Sequence, residues 1–416
     1  MASSEHRSEL TPCAHLDCIV PRVRHSRLGI SPQTALPARS RTAPPFTDPR
    51  DQQGRSKSGA MPPQCGRPGL MRVLLSTMLA LMPAMVMGGA SACGKSEICG
   101  LKNPEDMIRL ADTRWAIVSR LGRDASAPGG FSLVDLRAGT ARVLVPDVSR
   151  APIATYSACT HAPAAADLVT HGLDTRTKGG VTELFAVNHG ARESIEVFEI
   201  RFQHGGPTLT WTGCVPIPPD VSANAVAALP DGLAVTSFGT SGEAGDADLL
   251  AGRPAGFVVT WSKARGWEHV AGSDFGGDNG IAAAPDGSVL YVNDWNDGTL
   301  RVLPLAGHSA PAVIRLGDLH PDNIHFLRNG KLLIAGQVGA ARDILACATL
   351  APCSVASMIV IIDPRSRAVL SHSVIPATST FGAASTALLY GRDLWLSSFR
   401  GDRIVRLSRA ETVAAP

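Results

Sequence analysis

Four segments of the chain place an oxygen-bearing residue seven positions ahead of a turn and follow the turn with a β-like stretch. Glu105 precedes Asp112, Asn224 precedes Asp231, Asn279 precedes Asp286, and Asp322 precedes Asn329. The stretches that follow are Trp115–Val118, Leu233–Thr236, Val289–Val292 and Lys331–Ile334. Segments that recur at one internal register point to a rotationally repeated fold, in which equivalent positions converge on the axis. Four hard oxygen donors converging on an axis match what Ca²⁺ takes as ligands.

The turn-plus-strand unit recurs six times. Clear copies carry Asp231-Gly232, Asp286-Gly287 and Asn329-Gly330, and weaker ones lie at 110–116, 178–185 and 390–396. Asp-Gly and Asn-Gly signal hairpins, because both central residues of a type I′ turn need positive φ. A second strand-like segment follows most copies, as in Phe131–Leu136, Ile195–Ile200, Phe257–Trp261, Thr299–Leu303 and Met358–Ile362. The sixth copy has only Arg403–Leu407 before the chain ends, so its missing strand is expected from the N-terminal segment near Cys99. Six units of about fifty residues with four strands each predict an all-β, six-bladed β-propeller with an axial metal site. A two-layer sandwich also shows short strands and turns, but it does not predict polar residues at one register in successive copies.

Composition supports this reading. Charged residues are 18% of the chain, with 41 Gly and 30 Pro, which suits a turn-rich β protein. Residues 1–70 are rich in Arg, Pro and Ser, with ten basic and five acidic residues. They are read as a disordered leader or an over-extended gene start. Residues 71–92 have the plan of an export signal: Met71-Arg72, an apolar run from Val73 to Met87, and Ala90-Ser91-Ala92 before Cys93. The run is short for a membrane anchor. Ala90-Ser91-Ala92 fits ordinary signal cleavage, and Cys93 also stands where a lipid-modified cysteine would. Both predict an exported protein, periplasmic or extracellular, with a possible lipid anchor through Cys93. Residues 93–416 form the predicted propeller and carry a net charge of −3, which argues against nucleic acid as a main partner. A monomer is expected.

Six cysteines follow the signal: Cys93, Cys99, Cys159, Cys214, Cys347 and Cys353. That number permits three bridges. Cys347 and Cys353 are close enough to staple a loop, and Cys159 with Cys214 is a plausible second pair. No Cys-x-x-Cys or His-Glu-x-x-His spacing points to zinc.

The innermost strand of a propeller blade starts near one channel mouth. Glu105, Asn224, Asn279 and Asp322 therefore face one another there, with Asn323 adjacent. Two carboxylates and neutral amides suit Ca²⁺, with Mg²⁺ or Mn²⁺ as alternatives. These residues, with Pro104-Glu105-Asp106, His171-Gly172-Leu173, Val187-Asn188-His189, Asp278-Asn279-Gly280-Ile281 and Asp322-Asn323-Ile324, give residues 99–340 a resemblance to a known family. The segment resembles the paraoxonase/arylesterase group of calcium-dependent lactonases, a branch related to gluconolactonase-like propellers. The resemblance implies a catalytic calcium held by Glu105, Asn224, Asn279, Asp322 and Asn323, and a histidine dyad of His171 and His189. The family holds a second, structural calcium partly through an Asp after the residue matched by Asn224. Here that residue is Ala225, a departure from the pattern, although Asp106 keeps its match.

The implied chemistry is hydrolysis of a small lactone or carboxylic (aryl) ester. A divalent cation polarises the carbonyl and stabilises the oxyanion. His171 is the expected general base, with His189 orienting it. Residues 239–256 are Gly- and Ala-rich and are expected to overhang a channel mouth, as a lid or a surface loop. No Gly-x-Ser-x-Gly or Gly-x-Gly-x-x-Gly motif is present, which disfavours serine-hydrolase and dinucleotide chemistry. The rival class is a non-catalytic exported propeller whose calcium only staples its blades. A third is different chemistry on the same axis, such as phosphotriester hydrolysis.

Overall fold

The turn-and-strand copies fold into six antiparallel sheets of four strands each. The structure, a computed structural model, describes residues 93–122, 129–239, 243–306 and 311–408. The leader and export signal lie outside the described residues.

The blades follow chain order. Blade 1 is Met107–Arg109, Trp115–Ser119, Phe131–Asp135 and Thr140–Leu144; blade 2 is Thr170–Lys178, Val181–His189, Glu193–Gln203 and Gly206–Pro216. Blade 3 is Ala223–Leu229, Gly232–Ser237, Phe257–Ser262 and Gly266–His269; blade 4 is Asp278–Ala283, Val289–Asp294, Thr299–Pro304 and Ala312–Arg315. Blade 5 is Leu319–Phe326, Leu332–Val338, Ala356–Asp363 and Ala368–Ile375. Blade 6 takes Ala384–Tyr390, Asp393–Ser398 and Arg403–Ser408 from the end of the chain and Glu97–Cys99 from near its start. First strands of successive blades touch one another in cyclic order, which makes the molecule a six-bladed β-propeller. The turns fall between first and second strands as expected, but they are not type I′: Gly287 sits at φ 72° while Asp286 keeps negative φ, its Oδ1 instead accepting the Ser288 amide at 3.0 Å.

The expected missing strand is found. Glu97, Ile98 and Cys99 pair with Val405, Ile404 and Arg403, so the two ends of the propeller share one sheet. Arg403, almost fully buried, bonds Glu97 at 3.0 Å and Asp402 at 2.8 Å across the seam. Cys93 is bonded to Cys99 beside it. Cys159–Cys214 and Cys347–Cys353 form as expected.

Six apolar clusters lie between consecutive blades. Phe131, Leu133 and Ile117 of blade 1 meet Leu184, Phe198 and Trp211 of blade 2, and the same arrangement recurs round the ring. Each buried Leu, Ile or Phe contributes about 2 kcal/mol by leaving water, so the blade contacts hold the channel rigid. Among the described residues two short α-helices interrupt the β pattern: α1 (Glu243–Leu250) after the second strand of blade 3 and α2 (Ala341–Ala346) after the second strand of blade 5. They touch each other. Segment 239–256, expected as a loop, thus contains a helix. No helix among the described residues is long and apolar enough to cross a membrane.

Candidate metal and histidine site

Backbone irregularity aims the site residues. In blades 2 to 6, the pairing of first and second strands shifts register near the start of the first strand: at 170–173, 223–226, 278–281, 321–324 and 384–386. His171, Asn224, Asn279, Asp322 with Asn323, and Ser385 lie inside these bulges. A bulge breaks the strict alternation of a strand and re-aims its side chains. In blade 1, Glu105 stands just ahead of the first strand, and the Ser119 hydroxyl accepts the Asp106 amide at 2.8 Å. The same device holds blade 3, where Thr236 Oγ1 accepts the Ala225 amide at 3.0 Å and donates to Asn279 O at 2.6 Å. Blades approach so closely at the bulges that side chains are excluded. A Cβ on Gly172 would lie 2.6 Å from Ala225 Cα, and one on Gly280 would lie 2.8 Å from Asn323 Cα.

Glu105, His171, His189, Asn224, Asn279 and Asp322 line one cavity of about 910 Å³ at the channel mouth. Asn323 joins them by donating from Nδ2 to Glu105 Oε1 at 2.6 Å. All seven expected residues are therefore together. The five oxygen-bearing ones are at most 7% exposed. Asn224 Oδ1 and Asn279 Oδ1 are buried with no hydrogen-bond partner among the described residues. Each such orphan costs about 1–3 kcal/mol, so two beside two carboxylates fit a cation and make a poor empty core. Burial pushes the Asp322 carboxyl up to about 7, against hydrogen bonds from Gln337 and Asn279 that lower it. A cation there would restore the carboxylate. The donor set is hard oxygen throughout and fits Ca²⁺; Asn323 would present its oxygen after a half-turn of the amide.

The histidines pair directly: His171 Nδ1 and His189 Nε2 are 3.0 Å apart, and His171 Nε2 lies 3.6 Å from Glu105 Oε2. Three features escaped the sequence reading. Gln337 donates to Asp322 Oδ2 at 2.7 Å and accepts from Trp295 Nε1 at 3.0 Å, fixing the carboxylate from behind. An amide in the apolar run Leu332–Val338 was the available signal. The walls are Phe238, Leu249, Trp295, Leu345 and Phe399, brought by α1, α2 and the loops. Glu193 stands behind His189, 2.8 Å from its Nδ1.

Asp106, which the resemblance ties to a second calcium, is hydrogen-bonded by the protein through both of its oxygens. Asp106 Oδ1 accepts from Met107 N at 2.7 Å, His325 Nε2 at 2.8 Å and Thr386 Oγ1 at 3.0 Å, while Oδ2 accepts from Leu173 N at 2.7 Å. Burial alone would raise the Asp106 carboxyl, but the His325 charge and these bonds hold it below its ordinary value.

No protein-family model matches the sequence, and no curated protein matches it. Solved structures similar to this chain include a gluconolactonase from Xanthomonas campestris, at 17% identity over 74% of this chain and 87% of that one, TM-score 0.46. Regucalcin, a calcium-binding protein from Agrobacterium tumefaciens, is similar at 12% identity over 74% and 90%, TM-score 0.43. A luciferin-regenerating enzyme is similar at 12% identity over 74% and 92%, TM-score 0.46. These likenesses concern the fold alone, and the propeller stands on its own six sheets.

Proposed function

We propose that this protein is an exported, calcium-dependent hydrolase of lactones or carboxylic esters. One observation carries the reading: two orphaned amide oxygens, Asn224 Oδ1 and Asn279 Oδ1, share a cavity with two carboxylates and a hydrogen-bonded histidine pair. A structural calcium alone would explain the oxygens but not the pair opening on the same space.

Glu105, Asn224, Asn279, Asp322 and Asn323 would hold the ion. Calcium bound there supplies electrophilic pull on a carbonyl and stabilises charge on its oxygen. The apolar walls receive the body of the substrate and exclude bulk water. His171 takes a proton from the attacking water through Nε2, and the hydroxyl adds to the carbonyl carbon. His189 holds the ring from behind through the 3.0 Å bond. The leaving alkoxide recovers the proton as the C–O bond breaks. The Cys93–Cys99 bridge favours a soluble exported form, since a sulfur in a disulfide is not available to a lipid.

The test is hydrolysis of a lactone and aryl-ester panel with Ca²⁺, with EDTA, and by Asn279→Ala. Activity should vanish on chelation, return with Ca²⁺ and be lost about a thousandfold in the variant. If Ca²⁺ raises the melting temperature but nothing turns over, the protein is a calcium-stapled scaffold and the hydrolase reading fails.

A further inference from the structure

The hairpin joining the second and third strands of blade 2 closes with His189 directly opposite Glu193. The consequence is a line of four side chains. Glu193 Oε2 is 2.8 Å from His189 Nδ1, His189 Nε2 is 3.0 Å from His171 Nδ1, and His171 Nε2 is 3.6 Å from Glu105 Oε2. Side-chain exposure falls along it from 49% through 24% and 14% to 2%, so the line runs from the rim to the channel floor.

Both ends of the line are carboxylates. Glu193 is at hydrogen-bond distance from its histidine, 2.8 Å, whereas 3.6 Å separates His171 Nε2 from Glu105, too far for a hydrogen bond. The Glu193 end therefore determines the proton order. An ionised carboxylate can only accept hydrogen bonds. His189 must therefore carry its proton on Nδ1. In the neutral ring, Nε2 is then an acceptor, so His171 donates to it through Nδ1. What remains basic is His171 Nε2, the nitrogen that faces Glu105 and the cavity. Without the carboxylate, His189 can take the other tautomer. The donor and acceptor in the 3.0 Å bond then exchange, and His171 Nε2 holds a proton it cannot use to accept one from water.

We infer that Glu193 is a positioning residue that sets the tautomers of both histidines and so makes His171 Nε2 the base. The inference rests on the hydrolase reading for its purpose, but not for its geometry. Competition for Glu193 is low, because its neighbour Arg192 is turned to Glu196, with bonds of 2.9 and 2.8 Å. Glu196 is itself buried and held by Ser194 and Trp211. Since Glu193 is half exposed, it acts through the directed hydrogen bond and little through bulk charge.

The test reads tautomers directly. Long-range proton–nitrogen NMR spectra of the histidine rings are recorded on the calcium-free protein, on Glu193→Ala and on Glu193→Gln, above the pH at which the rings are charged. In the wild type, His189 and His171 should both be protonated on Nδ1. Glu193→Ala should give mixed tautomers at both rings, and Glu193→Gln, whose amide oxygen still accepts, should restore most of the wild-type pattern. With substrate, Glu193→Ala should lose about tenfold in kcat at unchanged KM. An unchanged tautomer pattern in Glu193→Ala overturns the inference, whatever the activity. If the tautomers shift as stated while the wild type hydrolyses nothing, the positioning role stands and only the hydrolase reading falls.

Discussion

The two mouths of the channel are made from opposite ends of the same first strands, yet they are finished differently. Asn224 opens the mouth that holds the histidine pair and Leu229 of the same strand lines the other. The turn-side cavity is the larger, about 1010 Å³ against 910 Å³. Its buried polar groups are paired. Asp174 accepts backbone amides of Thr175 and Ala228 at 2.7 and 2.8 Å, and His325 is clamped to Asp106. Arg176 is spread over Glu183, Tyr156 and the Leu229 carbonyl. On the histidine side, by contrast, two buried amide oxygens lack donors among the described residues. Unsatisfied polarity, more than volume, separates a site from a structural plug.

That contrast makes opposite predictions for two truncations. His325→Ala removes the cationic partner of the buried Asp106 carboxylate and leaves it with only its neutral donors, which should cost about 3 kcal/mol with or without Ca²⁺. Asn224→Ala removes an acceptor that has no donor. In EDTA it should be neutral or slightly stabilising, yet it should abolish the stabilisation that saturating Ca²⁺ gives the wild type, about 2.7 kcal/mol at a hundred times Kd. Denaturant melts of both variants, with and without Ca²⁺, decide the matter. Equal behaviour of the two would remove the distinction between the mouths.

A smaller effect follows from pH. In calcium-free protein, burial raises Asp322 to about 7; burial and then the Asp294 charge raise Asp278 to about 9. Both start from an ordinary value of 3.8. The folded state therefore holds more protons than the unfolded state between these values. Such a group stabilises fully below its ordinary pKa, and that stability is lost as pH rises through the folded value. The melting temperature in EDTA should fall from about pH 4 to about pH 9, most steeply below about 7 where both carboxyls contribute. Calcium competes with the Asp322 proton, so it should remove the Asp322 part of the fall, which ends near 7, and leave the Asp278 part, which ends near 9. A flat profile in EDTA would contradict the burial of these carboxyls.

Much of this was legible because it is periodic. The Asp286-Gly287 and Asn329-Gly330 turns fix strand starts, and a constant offset from them picked out Asn279 and Asp322. The ring-closing strand Glu97–Cys99 was anticipated because blade 6 is one strand short. The bulges were not legible, since a register shift belongs to two strands and neither sequence shows it alone. Glu193 escaped for the same reason: its place opposite His189 depends on the length of a turn. The α1 helix was hidden by the Gly- and Ala-rich character of 239–256, whose apolar residues do not follow a helical period. The His325–Asp106 pair was hidden as well, because its members stand 219 positions apart.

The smallest expected effect concerns the walls. Leu345, on α2, lines the histidine-side cavity and is only partly buried, so Leu345→Ala should cost the fold little. It removes apolar area that an alkyl-substituted lactone would cover, about 1 kcal/mol or fivefold in KM. A polyhydroxylated lactone, which gains nothing from an apolar wall, should show no change. Phe326→Ala is the counterpart at the turn-side mouth. Its ring packs edge-on to Tyr291 at 5.8 Å, so truncation should lower the melting temperature. Because substrate does not enter there, KM should stay as in the wild type. Steady-state kinetics on an alkyl and a hydroxylated lactone separate the cases. A KM shift in Phe326→Ala with none in Leu345→Ala would place the substrate at the wrong end of the channel for the histidines, and the assignment of the two mouths would have to be reversed.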